Sequence, residues 1–99
     1  MVNMSTIPAE LEPFMCGGRL TKIPVKRAKR MKLLDYIAQS FEPGRKYHES
    51  EINEALRAIH DDYAALRRYL VDEDFLSREA GFYWRSGGTV DVTEAEHRS

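Results

Sequence analysis

Several features that would narrow the function are scarce or missing in this chain of 99 residues. It has one cysteine, Cys16, which excludes an internal disulfide. No apolar run approaches the roughly 20 residues that cross a bilayer, so a transmembrane helix is excluded. The first 18 residues contain no Lys or Arg and no long apolar stretch, unlike a secretory signal or an Arg-rich transit peptide. We therefore expect a cytoplasmic protein that does not contact a membrane.

Catalytic and metal-binding motifs are absent as well. The sequence contains no Walker loop and no G-x-G-x-x-G, G-x-S-x-G or H-E-x-x-H motif. The three histidines, His48, His60 and His97, are too scattered to predict a zinc site. Cys16 has no neighbouring base or second cysteine that would activate its thiol. We expect neither an enzyme nor a bound cofactor or metal.

Charge is balanced overall but strongly segregated along the chain. The net charge of -1 argues against a protein that binds nucleic acid over its whole surface. Residues 19–46 carry nine basic and two acidic residues, a net of +7. Residues 49–74 carry eight acidic and three basic residues, a net of -5. A polyanion would therefore bind the first of these segments.

Apolar spacing predicts one domain over residues 19–86, between tails at 1–18 and 87–99 that lack a core pattern. Apolar residues recur every three or four positions in three segments, which predicts three helices. They run over about 25–41, over about 49–60, and from a cap at Asp61-Asp62 to near Glu73. A short edge strand precedes the first helix at 19–24, and an aromatic hairpin at 75–85 follows the third.

This order of elements is that of a winged helix-turn-helix, an α+β fold in which the third helix is the recognition helix and the hairpin is the wing. Alternation along the second hairpin strand turns either Tyr83 or Trp84 toward the core, and we assign that anchoring role to Trp84.

The span 19–86 is 68 residues long. A core of that size gives only about 3–5 kcal/mol, which favours added support from a homodimer.

Several stretches of the chain resemble one bacterial protein family. They are Gly18-Arg19-Leu20 with Ile23-Pro24, then 41–47, 51–56, 60–72, and Phe75-Leu76 with Tyr83-Trp84-Arg85. Over these stretches the chain is similar to domain-of-unknown-function family 2087 (DUF2087), which occurs alone or fused to ArsR-type winged-helix regulators. The resemblance implies a context in transcription without an established activity. His48 departs from the family, which tends to place a Thr or Ser there to cap the second helix.

Basic residues at the start of the first helix give the strongest indication of nucleic-acid binding. Cations at a helix N-terminus oppose the macrodipole, and a bound phosphate would offset that cost. On the third helix, Arg68 points away from the core, where it can reach a guanine. The predicted nucleic-acid-binding residues, which also include positions in the loop after the first helix and in the hairpin, are Lys26, Arg27, Lys29, Arg30, Arg45, Lys46, Arg68, Arg78 and Arg85.

We therefore expect a small bacterial transcription regulator that contacts the phosphates of duplex DNA. Three alternatives stay open from the sequence. The basic run is a solvated face paired with acidic residues of the second or third helix. The acidic face of those two helices docks a basic protein partner of the transcription machinery. The basic patch binds structured RNA through its shape and phosphates.

Overall fold

A computed structural model describes residues 8–87 of the chain. Among these residues, three α-helices and two small antiparallel sheets give a mixed α+β fold, as predicted. The elements in chain order are a 3₁₀ helix Ala9–Phe14, β1 Met15–Cys16, β2 Arg19–Leu20, α1 Arg27–Ala38, β3 Lys46–His48, α2 Glu49–Arg57, α3 Tyr63–Asp72, β4 Leu76–Glu79 and β5 Phe82–Arg85. No helix in this part of the chain is long and apolar enough to span a membrane.

The three predicted helices are confirmed, and their apolar faces meet in one core. Its fully buried side chains include Leu34, Ile37, Ile52, Leu56, Leu66 and Leu70. α3 begins at the predicted cap, where the Asp62 carboxylate accepts a hydrogen bond from the backbone N–H of Ala65 at 3.3 Å. At the start of α2, the Glu51 carboxylate accepts from the backbone N–H of His48 at 2.8 Å. This contact satisfies the backbone N–H of His48 at the helix start and does not depend on a Thr or Ser at position 48.

The larger sheet has the strand order β3-β5-β4, so β5 is central. β4 and β5 form the predicted hairpin, whose turn at Ala80 and Gly81 has positive φ at both residues, 54° and 83°. β3 was not predicted, because three residues with one buried side chain are too short for a periodic pattern. The predicted edge strand at 19–24 is reduced to β2, which pairs with β1 and not with the hairpin.

Tyr83, and not Trp84, anchors the hairpin to the core. Tyr83 is 1% exposed, and its hydroxyl donates to the Glu49 carboxylate over 3.5 Å. The register pairs Tyr83 with the buried Tyr47 of β3, so both rings point to the core side of the sheet. Alternation then turns Trp84 to the opposite face. The prediction that Trp84 anchors the wing is therefore wrong, because alternation alone does not say which of two neighbours faces inward.

The segment before α1 packs on the core, which corrects the predicted tail over residues 1–18. Leu11 is fully buried, and the backbone N–H of Thr21 donates to the carbonyl of Phe14 at 2.7 Å. The backbone N–H of Leu20 donates to the carbonyl of Ile59 at 2.8 Å. One buried leucine in a six-residue 3₁₀ helix leaves no periodic signal in the sequence. Residues 1–7 and 88–99 of the two predicted tails lie outside the described part of the chain.

Candidate nucleic-acid interface

The basic residues at the start of α1 do not form one open patch. Arg27 donates to the Glu73 carboxylate from Nη2 at 2.7 Å and from Nε at 3.3 Å. This hydrogen bonding lowers the pKa of Glu73 and raises that of Arg27. Lys32 Nζ lies 3.4 Å from the Glu10 carboxylate. Arg27 of the predicted set and the nearby Lys32 are therefore each paired with a carboxylate of the same chain.

Two further predicted phosphate ligands bind the protein backbone. Arg30 Nη1 donates to the carbonyl of Val25 at 2.8 Å, and its guanidinium lies 4.8 Å from the centroid of the Tyr69 ring. Arg85 Nη1 donates to the carbonyl of Phe41 at 3.2 Å, and burial lowers the pKa of Arg85. Both guanidinium groups brace neighbouring segments of the fold, which explains their positions without a ligand.

Lysines line a shallow concavity at the N-terminal end of α1. It has a volume of about 280 Å³ and is lined by Phe14, Lys22, Pro24, Val25, Lys26 and Lys29. Lys26 is exposed, and its side chain has no hydrogen bond or ion pair among residues 8–87. Lys22 was missed by the sequence analysis, because three residues separate it from the basic run. Pro24 lies between Lys22 and the basic run and ends the extended segment. This proline was the available sequence signal that the chain changes direction there.

The two predicted cations of the loop after α1 differ in their contacts. Arg45 lies between two carboxylates, 3.9 Å from Glu42 and 3.8 Å from Glu51. Lys46 lies at the start of β3, and its ammonium is 5.2 Å from the centroid of the Trp84 ring. Both side chains are exposed, and Lys46 has no carboxylate partner in the described part of the chain.

The outward face of α3 borders a groove of about 370 Å³ beside the hairpin. Leu66 and Leu70 face the core, and helical spacing places Arg68 directly opposite them. The exposed Arg68 side chain has neither a hydrogen bond nor an ion pair within residues 8–87. The groove is lined by Ala64, Arg67, Arg68, Val71, Asp72, Arg78 and Tyr83.

The two sides of this face of α3 differ in their cations. On the hairpin side, the exposed Arg78 guanidinium lies 5.8 Å from the centroid of the Tyr83 ring. On the α1 side, Arg27 reaches Glu73 at the C-cap of α3, and the exposed Lys26 precedes it in the chain. The outward face of α3 therefore carries Arg68 at its centre and Arg78 beside it, while Arg27 is paired with Glu73 and Asp72 contributes a carboxylate to the groove.

Arg67 lines the groove but has a structural role. It donates to the side-chain oxygen of Asn53, and its guanidinium lies 3.9 Å from the Glu49 carboxylate. These contacts join α3 to α2. The carboxylate partner of Arg67 is thus on the neighbouring helix.

Ion pairs reduce the net negative charge of the acidic face on α2 and the following turn. Arg19 Nη2 lies 2.6 Å from the Asp61 carboxylate, and its Nη1 donates to the carbonyls of Arg57 and Ala58, each at 3.0 Å. Arg57 in turn lies 3.8 Å from Glu54. This face therefore offers less charge to a basic protein partner than the sequence suggested.

Potential metal ligands do not assemble in the part of the chain that the structure describes. No three His, Cys, Asp or Glu side chains among these residues come together around a common point. His60 Nδ1 lies 3.0 Å from the carbonyl oxygen of Leu20, and the His48 ring lies 4.6 Å from the Phe82 ring. Cys16 is exposed.

The region that carries this geometry coincides with a family match. The model of a family described as "Uncharacterized protein conserved in bacteria (DUF2087)" matches residues 19–85. The chain belongs to the DUF2087 family. The DUF2087 match confirms the resemblance noted in the sequence and runs from β2 to the end of β5, while the 3₁₀ helix and β1 precede it. No curated protein and no solved structure matches the chain.

Proposed function

We propose that this protein is a small bacterial transcription regulator that binds duplex DNA through a winged helix. In this proposal α2 and α3 are the helix-turn-helix pair, and the hairpin of β4 and β5 is the wing. α3 enters the major groove, where Arg68 contacts a base edge. Arg78 beside the groove, and Lys26 at the start of α1, contact phosphates. A DNA-bound protein of this kind would act by controlling the access of other proteins to the site.

The observation that carries the proposal is the position of Arg68. It lies at the centre of the outward face of α3 without a side-chain partner among the described residues, and Arg78 lies beside it in the same groove. The major groove is about 12 Å wide and has a phosphate strand on each side, so Arg68 at the centre suits a base edge while Arg78 at the margin suits a phosphate. An arginine matches the two acceptors of guanine. Ala64, one turn earlier, allows close approach.

The contact pattern favours this interface over the alternatives. Arg27, Arg30 and Lys32 contact other groups of the protein. The start of α1 therefore offers fewer free cations to a nucleic acid than the sequence predicted. The ion pairs on α2 weaken the case for a docking face for a basic protein. Duplex RNA is disfavoured because its major groove is too deep and narrow for a helix.

Titration of a fluorescently labelled duplex of mixed sequence, followed by anisotropy at several salt concentrations, tests the proposal. We expect the logarithm of the binding constant to fall linearly with the logarithm of the salt concentration, by about 0.9 per phosphate contact. Arg78→Ala should reduce that slope by about 1. Arg68→Ala should weaken binding to a sequence selected from a random pool by about 1–3 kcal/mol and relax its base preference.

Arg57→Ala is the matched control, because it removes the same charge from an exposed position on α2, away from the groove. We expect this variant to bind like the wild type. The proposal is wrong if the wild type does not bind duplex DNA, or if all three variants lose affinity equally.

A further inference from the structure

The face of the three-stranded sheet that points away from the core carries two aromatic rings on β5. The register places Trp84 between Lys46 and Ser77, and it places Phe82 between His48 and Glu79. Phe82 is 37% exposed, although large apolar side chains are usually covered. The Lys46 ammonium lies 5.2 Å from the Trp84 ring centroid, which confirms that both side chains are on this face.

The spacing of the two rings suits neighbouring nucleotides. Trp84 and Phe82 are two residues apart on one strand, so their Cα atoms are about 7 Å apart at a rise of about 3.4 Å per residue. This is about twice the 3.4 Å spacing of bases along one strand of a duplex. Two bases of a single strand can reach that separation when they are unstacked from each other. Aromatic rings on an open sheet face bind unpaired bases in this manner.

We propose that this outer face of the sheet, formed by Lys46, His48, Phe82 and Trp84, binds single-stranded nucleic acid. Two neighbouring bases stack on Trp84 and Phe82, and the phosphate between them approaches Lys46. The site is distinct from the proposed duplex interface, because Arg78 and Tyr83 of the groove lie on the opposite face of the same sheet. It does not require that the duplex interface exists.

The charges around the rings indicate where the nucleic-acid backbone runs. The β3 side of the face presents Lys46, while the β4 side presents the exposed Glu79. A polyanion therefore follows the β3 side. A base that stacks on Trp84 replaces the Lys46 ammonium above the ring, and the ammonium is then free to contact a phosphate. Base stacking on a ring is stronger than an exposed cation–π contact, so the exchange is favourable.

A nucleic acid suits the face better than a protein partner does. Two aromatic side chains bury only about 150–250 Å² each even when they are fully covered. A stable protein interface needs about 800 Å² from each partner. The other side chains on the face, Ser77, Lys46, His48 and Glu79, are polar and add little apolar area. Stacking on individual rings does not need a large apolar surface.

Trp84 is the one tryptophan of the chain, so its fluorescence reports directly on the site. We expect a short oligothymidylate to quench Trp84 emission in a saturable manner. Phe82→Ala and Lys46→Gln should each weaken this binding by about tenfold, in line with the loss of one stacked base or one phosphate contact. Phe82→Tyr keeps a ring at the same position and should bind like the wild type, which separates a stacking role from a general effect on folding.

Arg68→Ala distinguishes this site from the duplex interface. We expect it to lose duplex affinity while it binds oligothymidylate normally, and Phe82→Ala should show the reverse. Saturable quenching that Phe82→Ala leaves unchanged would overturn the proposal, as would the absence of quenching. Concentration-dependent dimerisation that Phe82→Ala abolishes would also overturn it, because the face would then be covered by a second copy of the chain.

Discussion

Glu73 joins the C-terminal end of α3 to the N-terminal end of α1 through its hydrogen bonds from Arg27. The hydrogen bonding and the charge of Arg27 hold the pKa of Glu73 below its ordinary value, although partial burial opposes them. A carboxyl group whose pKa is lower in the folded state stabilises the fold at pH values above its unfolded pKa. That contribution is lost as the pH falls through the folded pKa.

We expect Arg27→Gln to unfold at a lower urea concentration than the wild type at neutral pH, because Glu73 loses its donors. The difference in urea midpoint between the wild type and the variant should become smaller as the pH falls below the ordinary pKa of a glutamate. It should disappear once the pH is below the lowered pKa of Glu73. Urea midpoints measured from neutral to acidic pH check this. Lys26→Gln removes the same charge from a neighbour whose side chain has no partner in the described part of the chain, so it should show no such pH dependence. A difference that stays constant into acid would contradict the assignment.

The contacts of individual cations explain why the candidate site could be predicted only in part. Helical spacing placed Arg68 opposite the core from the sequence alone, and the structure agrees. The partner of Arg27, by contrast, lies 46 residues away. The acceptors of Arg30 include a backbone carbonyl, which no pattern of residue types reveals. Distinguishing a free cation from an engaged one therefore required the tertiary structure.

At the scale of elements, the 3₁₀ helix that precedes α1 contributes to the core through Leu11. This side chain is fully buried, so its truncation leaves a cavity. We expect Leu11→Ala to lower the free energy of unfolding by about 2–5 kcal/mol, as for any core leucine. Glu12→Ala, at an exposed position of the same element, should change it by no more than about 0.5 kcal/mol. Urea unfolding of the two variants measures both effects. Equal, small effects would show that the segment does not belong to the core.

Element length decided which parts of the fold were visible in the sequence. The helices repeat their apolar spacing over several turns, and Asp62 marks the start of the third, so all three were predicted. β3 has one buried residue, Tyr47, and the 3₁₀ helix has one, Leu11, so neither forms a pattern. The wrong choice between Tyr83 and Trp84 as the buried residue has a related cause. Neighbouring residues of β5 point to opposite faces of the sheet, but only the pairing of Tyr83 with the buried Tyr47 shows which face is buried.

At the scale of the whole molecule, ion pairs connect the basic first part of the domain to the acidic second part. Examples are Arg19 with Asp61 at 2.6 Å and Arg45 with Glu51 at 3.8 Å. The opposite charges of the two segments therefore attract each other in the folded protein. Each exposed pair contributes little by itself, because water and salt screen it.

We expect added NaCl to lower the urea midpoint slightly. Between about 0.01 and 0.15 M salt the Debye length falls from about 30 to about 8 Å, which weakens these pairs. The net charge of -1 leaves little self-repulsion for salt to relieve. A variant with Arg19→Gln and Arg45→Gln should show a smaller salt dependence. A midpoint that rises with NaCl would show that these pairs do not govern the response.

Arg19 has a consequence for any attempt to reuse the two helices in another protein. Its guanidinium holds two carbonyls at the end of α2 and the Asp61 side chain that follows them, so it fixes the turn from a position 30 residues before α2 begins. A fragment containing only residues 49–72 would carry the outward face of α3 but would lack the contacts that Arg19 makes. In a graft, the angle between the helices would then depend on the host scaffold.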